Sequence, residues 1–190
     1  MFRLILVLSL IPIAITLAVR WWHGGRVLAA EGGRLCRCDL KRWLPIRGDE
    51  SVIHRAEESA AEFGRQLRIK ALDEWRVQDP KAAAARESAR RFGMAVPPLS
   101  ALVAVFAMIV GKIPLSGAIS ILLAATAVAA VLGLLALAPE LGAINRAARK
   151  VREDGDFPAR DDADAVIRCA VAHAWDLALP PILRWIHMGH

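Results

Sequence analysis

The sequence contains few cysteines and lacks the short motifs of several common enzyme classes. Cys36, Cys38 and Cys169 are its three cysteines, an odd number without a second C-x-C pair, which argues against a disulfide framework or a paired-cysteine zinc site. Cys36 and Cys38 lie in an arginine-rich stretch, which we expect to lower the pKa of their thiols. The stretch alone does not identify a nucleophile. A glycine-rich phosphate loop and a G-x-S-x-G elbow are both absent, so neither of those chemistries is predicted.

Charge is also lacking, but only in particular segments. Hydrophobic residues make up 56% and charged residues 23% of the 190-residue chain, and the mean hydropathy is +0.39. Apolar runs at residues 4–19, 95–110 and 115–138 alternate with densely charged segments, a pattern typical of an integral membrane protein with aqueous segments. The net charge of +6 favours contact with anionic lipid over nucleic acid, because the polar segments lack a basic and aromatic surface.

The first apolar run predicts an N-terminal signal-anchor helix over residues 1–22. The run is near the lower length limit for a membrane span. Arg20, Trp21 and Trp22 follow it directly, which is typical of a membrane-surface anchor. No convincing small-x-small cleavage site follows, so we expect the segment to be retained.

The second and third runs predict a transmembrane helical hairpin over residues 95–139. Only residues 111–114 separate the runs, and they read as a tight turn. Pro97 and Pro98 are expected at the start of the first hairpin helix, where a missing amide costs least. Small residues in the second hairpin helix predict close helix packing. They are Gly117, Ala118, Ala124, Ala125, Ala127, Ala129, Ala130 and Gly133.

Residues 23–94 are predicted to form a basic cytoplasmic helical segment. Glycines at 24, 25, 32 and 33 indicate a loop at its start. A helix is expected over residues 51–78, with Ser51 as its N-cap. One face of this helix would carry Ile53, Ala56, Ala60, Phe63 and Leu67, and the opposite face Glu57, Glu58, Arg65 and Arg68. Asp79 and Pro80 predict the start of a second helix.

Residues 140–190 are predicted to form a C-terminal helical segment that is cytoplasmic or membrane-associated. Residues 154–158 should break the preceding helix, and residues 161–164 should begin another. That helix has an apolar side, but Arg168, His173 and Asp176 argue against a lipid-exposed span. It either packs on the hairpin or forms a partly shielded fourth span.

The expected fold class is therefore all-α, an integral membrane protein with an N-terminal anchor helix, cytoplasmic helices, a transmembrane hairpin and a C-terminal helix. The distribution of arginine and lysine predicts that both large polar segments are cytoplasmic, with the N-terminus and Lys112 outside. We expect a multi-pass protein of the cell inner (plasma) membrane, in contact with the lipid bilayer and not with nucleic acid.

Residues 139–147, Pro-Glu-Leu-Gly-Ala-Ile-Asn-Arg-Ala, resemble a stretch of the bacterial membrane neutral zinc metallopeptidase family. Glu140, Ala143, Arg146 and Ala147 match that family's Glu-x-x-Ala-x-x-Arg-Ala spacing. The family has an N-terminal span, an H-E-x-x-H helix and a hydrophobic hairpin before this stretch, and the same order of elements extends here over residues 55–187.

The zinc helix of that family is expected a few tens of residues before the hairpin. There the sequence Ala-Ala-Glu-Phe-Gly-Arg, residues 60–65, resembles the family's Ala-His-Glu-x-Gly-His. Glu62 and Gly64 match, whereas Ala61 and Arg65 occupy the positions of the two histidines. The segment between the anchor and this helix is much shorter than in the family.

The resemblance implies the chemistry that these substitutions remove. In H-E-x-x-H, two imidazoles on one helical face hold zinc and the glutamate activates the bound water. Glu62 corresponds to that general base, and Glu140 to the third zinc ligand. An arginine at 65 would repel zinc and could instead pair with Glu62 three residues earlier. The resemblance thus implies an inactive relative without zinc, which binds or regulates a partner such as an active peptidase paralogue or a second copy.

Two other interpretations remain open. In the first, the chain is a membrane structural or interaction subunit unrelated to peptidases, in which Glu62 and Arg65 lie on a solvated helix face and Glu140 at a membrane boundary. In the second, it is a zinc-dependent membrane peptidase with a rebuilt metal site. The candidate replacement ligands are His54, His173, His187 and His190.

Overall fold

The computed structural model describes residues 2–39, 43 and 56–178, and this part of the chain is mostly helical. The helices are α1 (Phe2–Arg20), α2 (Arg26–Glu31), α3 (Ala60–Gln78), α4 (Pro80–Ile109), α5 (Leu115–Asp154) and α6 (Arg160–Leu177). A π-helical segment (Trp21–Gly25) joins α1 to α2, and two short strands, β1 (Leu35–Arg37) and β2 (Glu57–Ser59), pair antiparallel.

The chain divides into two compact units. The apolar unit contains the described residues of 2–19, 84–137 and 177–178, and the polar unit those of 20–83 and 138–176. Helix α5 runs through the boundary and contributes its first part to the apolar unit and its last part to the polar unit.

Three helical stretches, Leu4–Glu31, Pro80–Ile109 and Leu115–Asp154, are long and apolar enough to cross a membrane. Their large apolar side chains are widely exposed, for example Leu8 at 57%, Leu102 at 69% and Leu135 at 68%. Exposed apolar surface of this extent is unusual for a water-soluble protein and typical of a membrane-facing one. The predicted apolar helices are thus confirmed.

Small residues let the helices of the apolar unit approach closely. Ile13 of α1 packs on Ala127 and Ala130 of α5. Gly93 of α4 lies against Ala129, whose carbonyl oxygen would be 3.6 Å from a Cβ added at the glycine. The predicted packing of small residues is confirmed at these positions.

The predicted position of the two hairpin prolines is wrong. Pro97 and Pro98 lie inside α4, because this helix runs without interruption from Pro80 to Ile109. Each proline removes a backbone hydrogen bond to the carbonyl four residues earlier. The turn after α4 is as predicted, and Gly111 adopts a left-handed conformation there with φ +73°.

The core of the polar unit forms around α3. Phe63 and Leu67 are fully buried, and Phe63 makes an edge-to-face aromatic cluster with Trp43 and Phe157 at centroid distances of 5.1 to 5.5 Å. The Trp43 indole Nε1 donates a hydrogen bond to Gln66 Oε1 at 3.1 Å. The predicted apolar face of α3 is therefore confirmed for Ala60, Phe63 and Leu67.

The predicted start of α3 is wrong. The helix begins at Ala60, and Ser59 is its N-cap, whose hydroxyl accepts a hydrogen bond from Glu62 N at 3.3 Å. Residues 57–59 form β2 instead, paired with β1, and Ala56 is exposed. Pairing with a strand some twenty residues earlier overrode the local helical pattern, and it adds a small sheet to the expected all-α fold. Ser51 and Ile53 lie outside the described residues.

Two further local expectations are corrected. Gly24 and Gly25 belong to the π-helical segment and not to a loop, and a Cβ added at Gly24 would lie 3.3 Å from the Ala172 carbonyl oxygen. Arg68, expected on the face of α3 opposite the apolar one, is only 6% exposed. A glycine occurs both in loops and where two helices approach closely, so the sequence alone does not distinguish the two cases at Gly24.

Other helix boundaries agree with the sequence predictions. Asp79 caps α4, because its side-chain oxygen accepts a hydrogen bond from Ala82 N at 3.0 Å. Helix α5 ends at Asp154, and Gly155 follows with φ +65°. Helix α6 is not among the candidate spans of the described residues, and the apolar run at residues 182–186 lies outside them.

Candidate functional site

The residues quoted for the zinc-peptidase resemblance lie on α3 and α5. The N-cap at Ser59 sets the start of α3 and places Ala61, Glu62 and Arg65 in its first two turns. Gly64 sits where α3 meets α6, and a Cβ added there would lie 2.7 Å from Cys169 Cβ and 2.8 Å from Ala170 N. A residue without a side chain is thus required for this helix contact.

Glu62 and Arg65 form a salt bridge, which confirms the pairing expected from their spacing. Arg65 Nε lies 2.9 and 3.0 Å from the two carboxylate oxygens of Glu62, and Nη2 also donates to Oε1. The Arg65 and Glu62 side chains are 36% and 29% exposed. Solvent therefore screens the pair, and its contribution to stability is modest.

Glu140 forms a second and much more buried salt bridge. Arg68 Nε donates a hydrogen bond to Glu140 Oε1 at 2.5 Å, and the two side chains are only 7% and 5% exposed. This bond joins α3 to α5 one residue after Pro139. Sequence reasoning missed it, although a glutamate that directly follows an apolar run is a signal that a cationic partner is needed.

Each of the two carboxylates is thus held by its own arginine from α3. Glu62 binds Arg65 within the helix, whereas Glu140 binds Arg68 from a distant part of the chain. The guanidinium is charged throughout the physiological range and satisfies carboxylate oxygens directly. The Arg68–Glu140 pair therefore fixes α3 against α5.

His173 of α6 contacts the backbone of α3 at Ala61, one of the two positions that correspond to the family's histidines. Its Nε2 lies 2.9 Å from the Ala61 carbonyl oxygen. A carbonyl oxygen can only accept, so Nε2 carries the proton in this hydrogen bond and offers no lone pair to a metal there. The other three candidate histidines, at 54, 187 and 190, lie outside the described residues.

The described residues contain no group of three or more His, Cys, Asp or Glu side chains placed to hold a metal ion. The side chains at the two positions that correspond to the zinc peptidases' histidines do not fit a zinc ion, since Ala61 offers no ligand atom and Arg65 is a cation.

The three cysteines do not contribute a reactive site. All are free and buried. Burial, with a smaller effect from Asp162, raises the pKa of the Cys36 thiol to about 11. Burial likewise raises the pKa of Cys38 and of Cys169 to about 11. The expectation of a lowered pKa for Cys36 and Cys38 is wrong, because desolvation raises both values and at Cys36 outweighs the lowering effect of Arg34.

The chain matches no family model, no curated protein and no solved structure. The resemblance to the zinc metallopeptidases rests on the residues quoted above, and the roles that it implies remain predictions.

Proposed function

We propose that this chain is a multi-pass protein of the cell inner membrane that acts by binding or regulating a partner, as a catalytically inactive relative of a zinc metallopeptidase. The three apolar helices and their exposed apolar side chains support the membrane location. The excess of arginine and lysine in the polar segments supports a cytoplasmic polar unit.

The buried Arg68–Glu140 salt bridge carries the proposal of an inactive site. Glu140, which corresponds to the third zinc ligand, is bound by a guanidinium. A buried carboxylate needs a compensating positive charge, and Arg68 supplies the charge that a zinc ion would supply in an active relative. Zinc would have to displace this arginine without an imidazole at position 61 or 65, so hydrolysis of a peptide bond has no support.

The partner is proposed to be an active peptidase paralogue or a second copy of this chain. The support is the resemblance itself: a relative with the same order of helices offers surfaces that match those of this chain. Small residues on α5, which already pack closely within one copy, are suited to the same kind of helix contact between chains.

Restoring the two histidines tests the proposed relationship. We would prepare Ala61→His/Arg65→His in the full chain, purified in detergent, and measure zinc by elemental analysis. If the site descends from a zinc peptidase, this variant takes up close to one zinc per chain, and Glu140→Ala added to it removes the zinc. The matched control is Asp73→His/Val77→His, the same spacing on the exposed side of α3, whose zinc should not depend on Glu140.

The unchanged protein provides the other half of the test. We expect no stoichiometric zinc and no chelator-sensitive cleavage of casein. Near-stoichiometric zinc that is lost in Glu140→Ala would overturn the proposal in favour of a peptidase with a rebuilt metal site.

A second candidate function is a membrane interaction subunit unrelated to peptidases. The observation that favours it is the salt bridge of Glu62 with Arg65 within one helix turn, which is also what an ordinary ion pair on a solvated helix face forms. A restored-histidine variant whose zinc does not depend on Glu140 would select this function.

A further inference from the structure

A cavity of about 350 Å³ lies in the polar unit, where the last turn of α5 meets the first turns of α6. Its volume is at the small end of the range for small-molecule sites, which is about 300–1,000 Å³. The described residues that line it all fall within 151–164. One helix connection therefore forms the cavity.

Part of the cavity wall is apolar and belongs to the core. Val151, Phe157 and Ala163 line the cavity and are themselves 3%, 5% and 6% exposed. The Phe157 ring packs edge to face on Trp43 and Phe63 in the aromatic cluster of the polar unit, which fixes its position. Such a wall suits the hydrocarbon part of a ligand.

Three charged side chains also line the cavity, two cations and one anion. Arg152 donates to Asp164 Oδ1 from Nη2 at 2.8 Å and from Nε at 3.2 Å, so these two charges offset each other. The Arg160 side chain, in contrast, makes no hydrogen bond or ion pair with the described residues. The cavity therefore presents one uncompensated positive charge beside an apolar wall.

The acidic residues near Arg160 do not neutralise it. Asp164, four residues later on the same face of α6, is already held in its ion pair. Asp162 is directed to β1, where its Oδ2 accepts a hydrogen bond from Arg37 N at 3.2 Å, and Asp161 is exposed and outside the cavity lining. The N-terminal end of α6 adds a partial positive charge here, so an anion is favoured.

We propose that this cavity binds a small organic monocarboxylate, with the carboxylate paired to Arg160 and the hydrocarbon part packed on Phe157 and Val151. A guanidinium binds a carboxylate through two parallel hydrogen bonds. One net positive charge complements a monocarboxylate better than a doubly charged phosphate monoester. The proposal is independent of the peptidase relationship, so its outcome and that of the zinc measurements are separate.

Equilibrium dialysis of the full chain in detergent against 3-phenylpropionate tests the proposal, with the uptake by protein-free micelles subtracted. The unchanged protein should bind this probe saturably. The neutral analogue 3-phenyl-1-propanol and the short carboxylate acetate should each bind at least about tenfold more weakly, because the first lacks the charge and the second lacks the hydrocarbon part. Absence of saturable binding, or equal binding of the neutral analogue, would overturn the proposal.

Three variants test the role of the cavity charges. Arg160→Gln should weaken binding of the probe about tenfold. Arg149→Gln is the matched control and should leave binding unchanged, because Arg149 is an exposed cation of α5 outside the cavity lining. Asp164→Asn should strengthen binding about threefold, because it removes an anion from the lining and releases Arg152 from its ion pair.

The gain in Asp164→Asn is informative because misfolding cannot produce it. Unchanged binding in Arg160→Gln, an equal loss in Arg149→Gln, or no gain in Asp164→Asn would contradict the assignment of the carboxylate to Arg160. Inorganic phosphate that displaces the probe more strongly than acetate does would likewise overturn the choice of a carboxylate.

Discussion

The buried salt bridge between α3 and α5 gives the sharpest test of the structure. Arg68 and Glu140 are 7% and 5% exposed at their side chains, so removal of either partner takes the nearest opposite charge away from a buried charged group. Loss of one partner of such a pair costs about 3–5 kcal/mol in the free energy of unfolding. For a chain of this length, that loss corresponds to a fall of about 10 °C in the melting temperature.

A comparison of single and double variants separates the energy of the Arg68–Glu140 interaction from the cost of burying each charged group. We expect Arg68→Met and Glu140→Gln each to lower the melting temperature markedly. The double variant Arg68→Met/Glu140→Gln should recover most of the loss, because no buried charge remains. Arg76→Met is the matched control. Arg76 is on the same helix, its side chain is 72% exposed, and it lies as far as 3.9 Å from the Asp73 carboxylate.

Thermal unfolding of the full chain in a mild detergent, followed by circular dichroism, measures these differences. Single variants that melt within about 2 °C of the unchanged protein would refute the burial and pairing of these side chains, since such a shift corresponds to about 1 kcal/mol or less. A double variant as unstable as the sum of the singles would show that the two residues do not interact.

Three further predictions concern the polar unit. Gly64→Ala should lower the free energy of unfolding by about 1–3 kcal/mol, because the added Cβ would lie 2.7 Å from Cys169 Cβ. Gly33→Ala is the control and should be neutral in the same melting assay, because an added Cβ there has nothing within 4 Å. Equal losses in the two variants would contradict the α3–α6 contact. Ser59→Ala should cost about 1 kcal/mol through loss of the α3 N-cap, and a Ser59→Asp variant should restore that stability; no loss in Ser59→Ala would argue against the observed helix start. The three buried thiols have pKa values raised from 9.0 to about 11, so their contribution to stability is complete below pH 9 and is lost as the pH rises toward 11. At pH 8 they should resist iodoacetamide until the protein is denatured, and rapid labelling of the folded protein would be inconsistent with their burial.

Features that depend on neighbouring residues were predictable from the sequence. Apolar runs predicted the three long helices because the length and composition of one segment decide whether it can span a bilayer. The turn at Gly111, the cap at Asp79 and the Glu62–Arg65 pair follow from contacts between residues one to four apart, and the structure contains all three.

Features that depend on distant residues were decided only by the tertiary structure. Arg68 and Glu140 lie 72 positions apart, and no periodicity indicates that one binds the other. The pairing of β1 with β2 replaced the first helical turns expected before Ala60, and burial of the cysteines reversed the expected direction of their pKa shift.

The sequence by itself therefore determined which segments are apolar helices and which residues could pair within a helix turn, since both depend on local composition and on the 3.6-residue repeat. The tertiary structure alone decided which charges are buried and which groups they bind. Desolvation and salt-bridge formation depend on the residues that surround a side chain in space, and here those residues come from helices far apart in the chain.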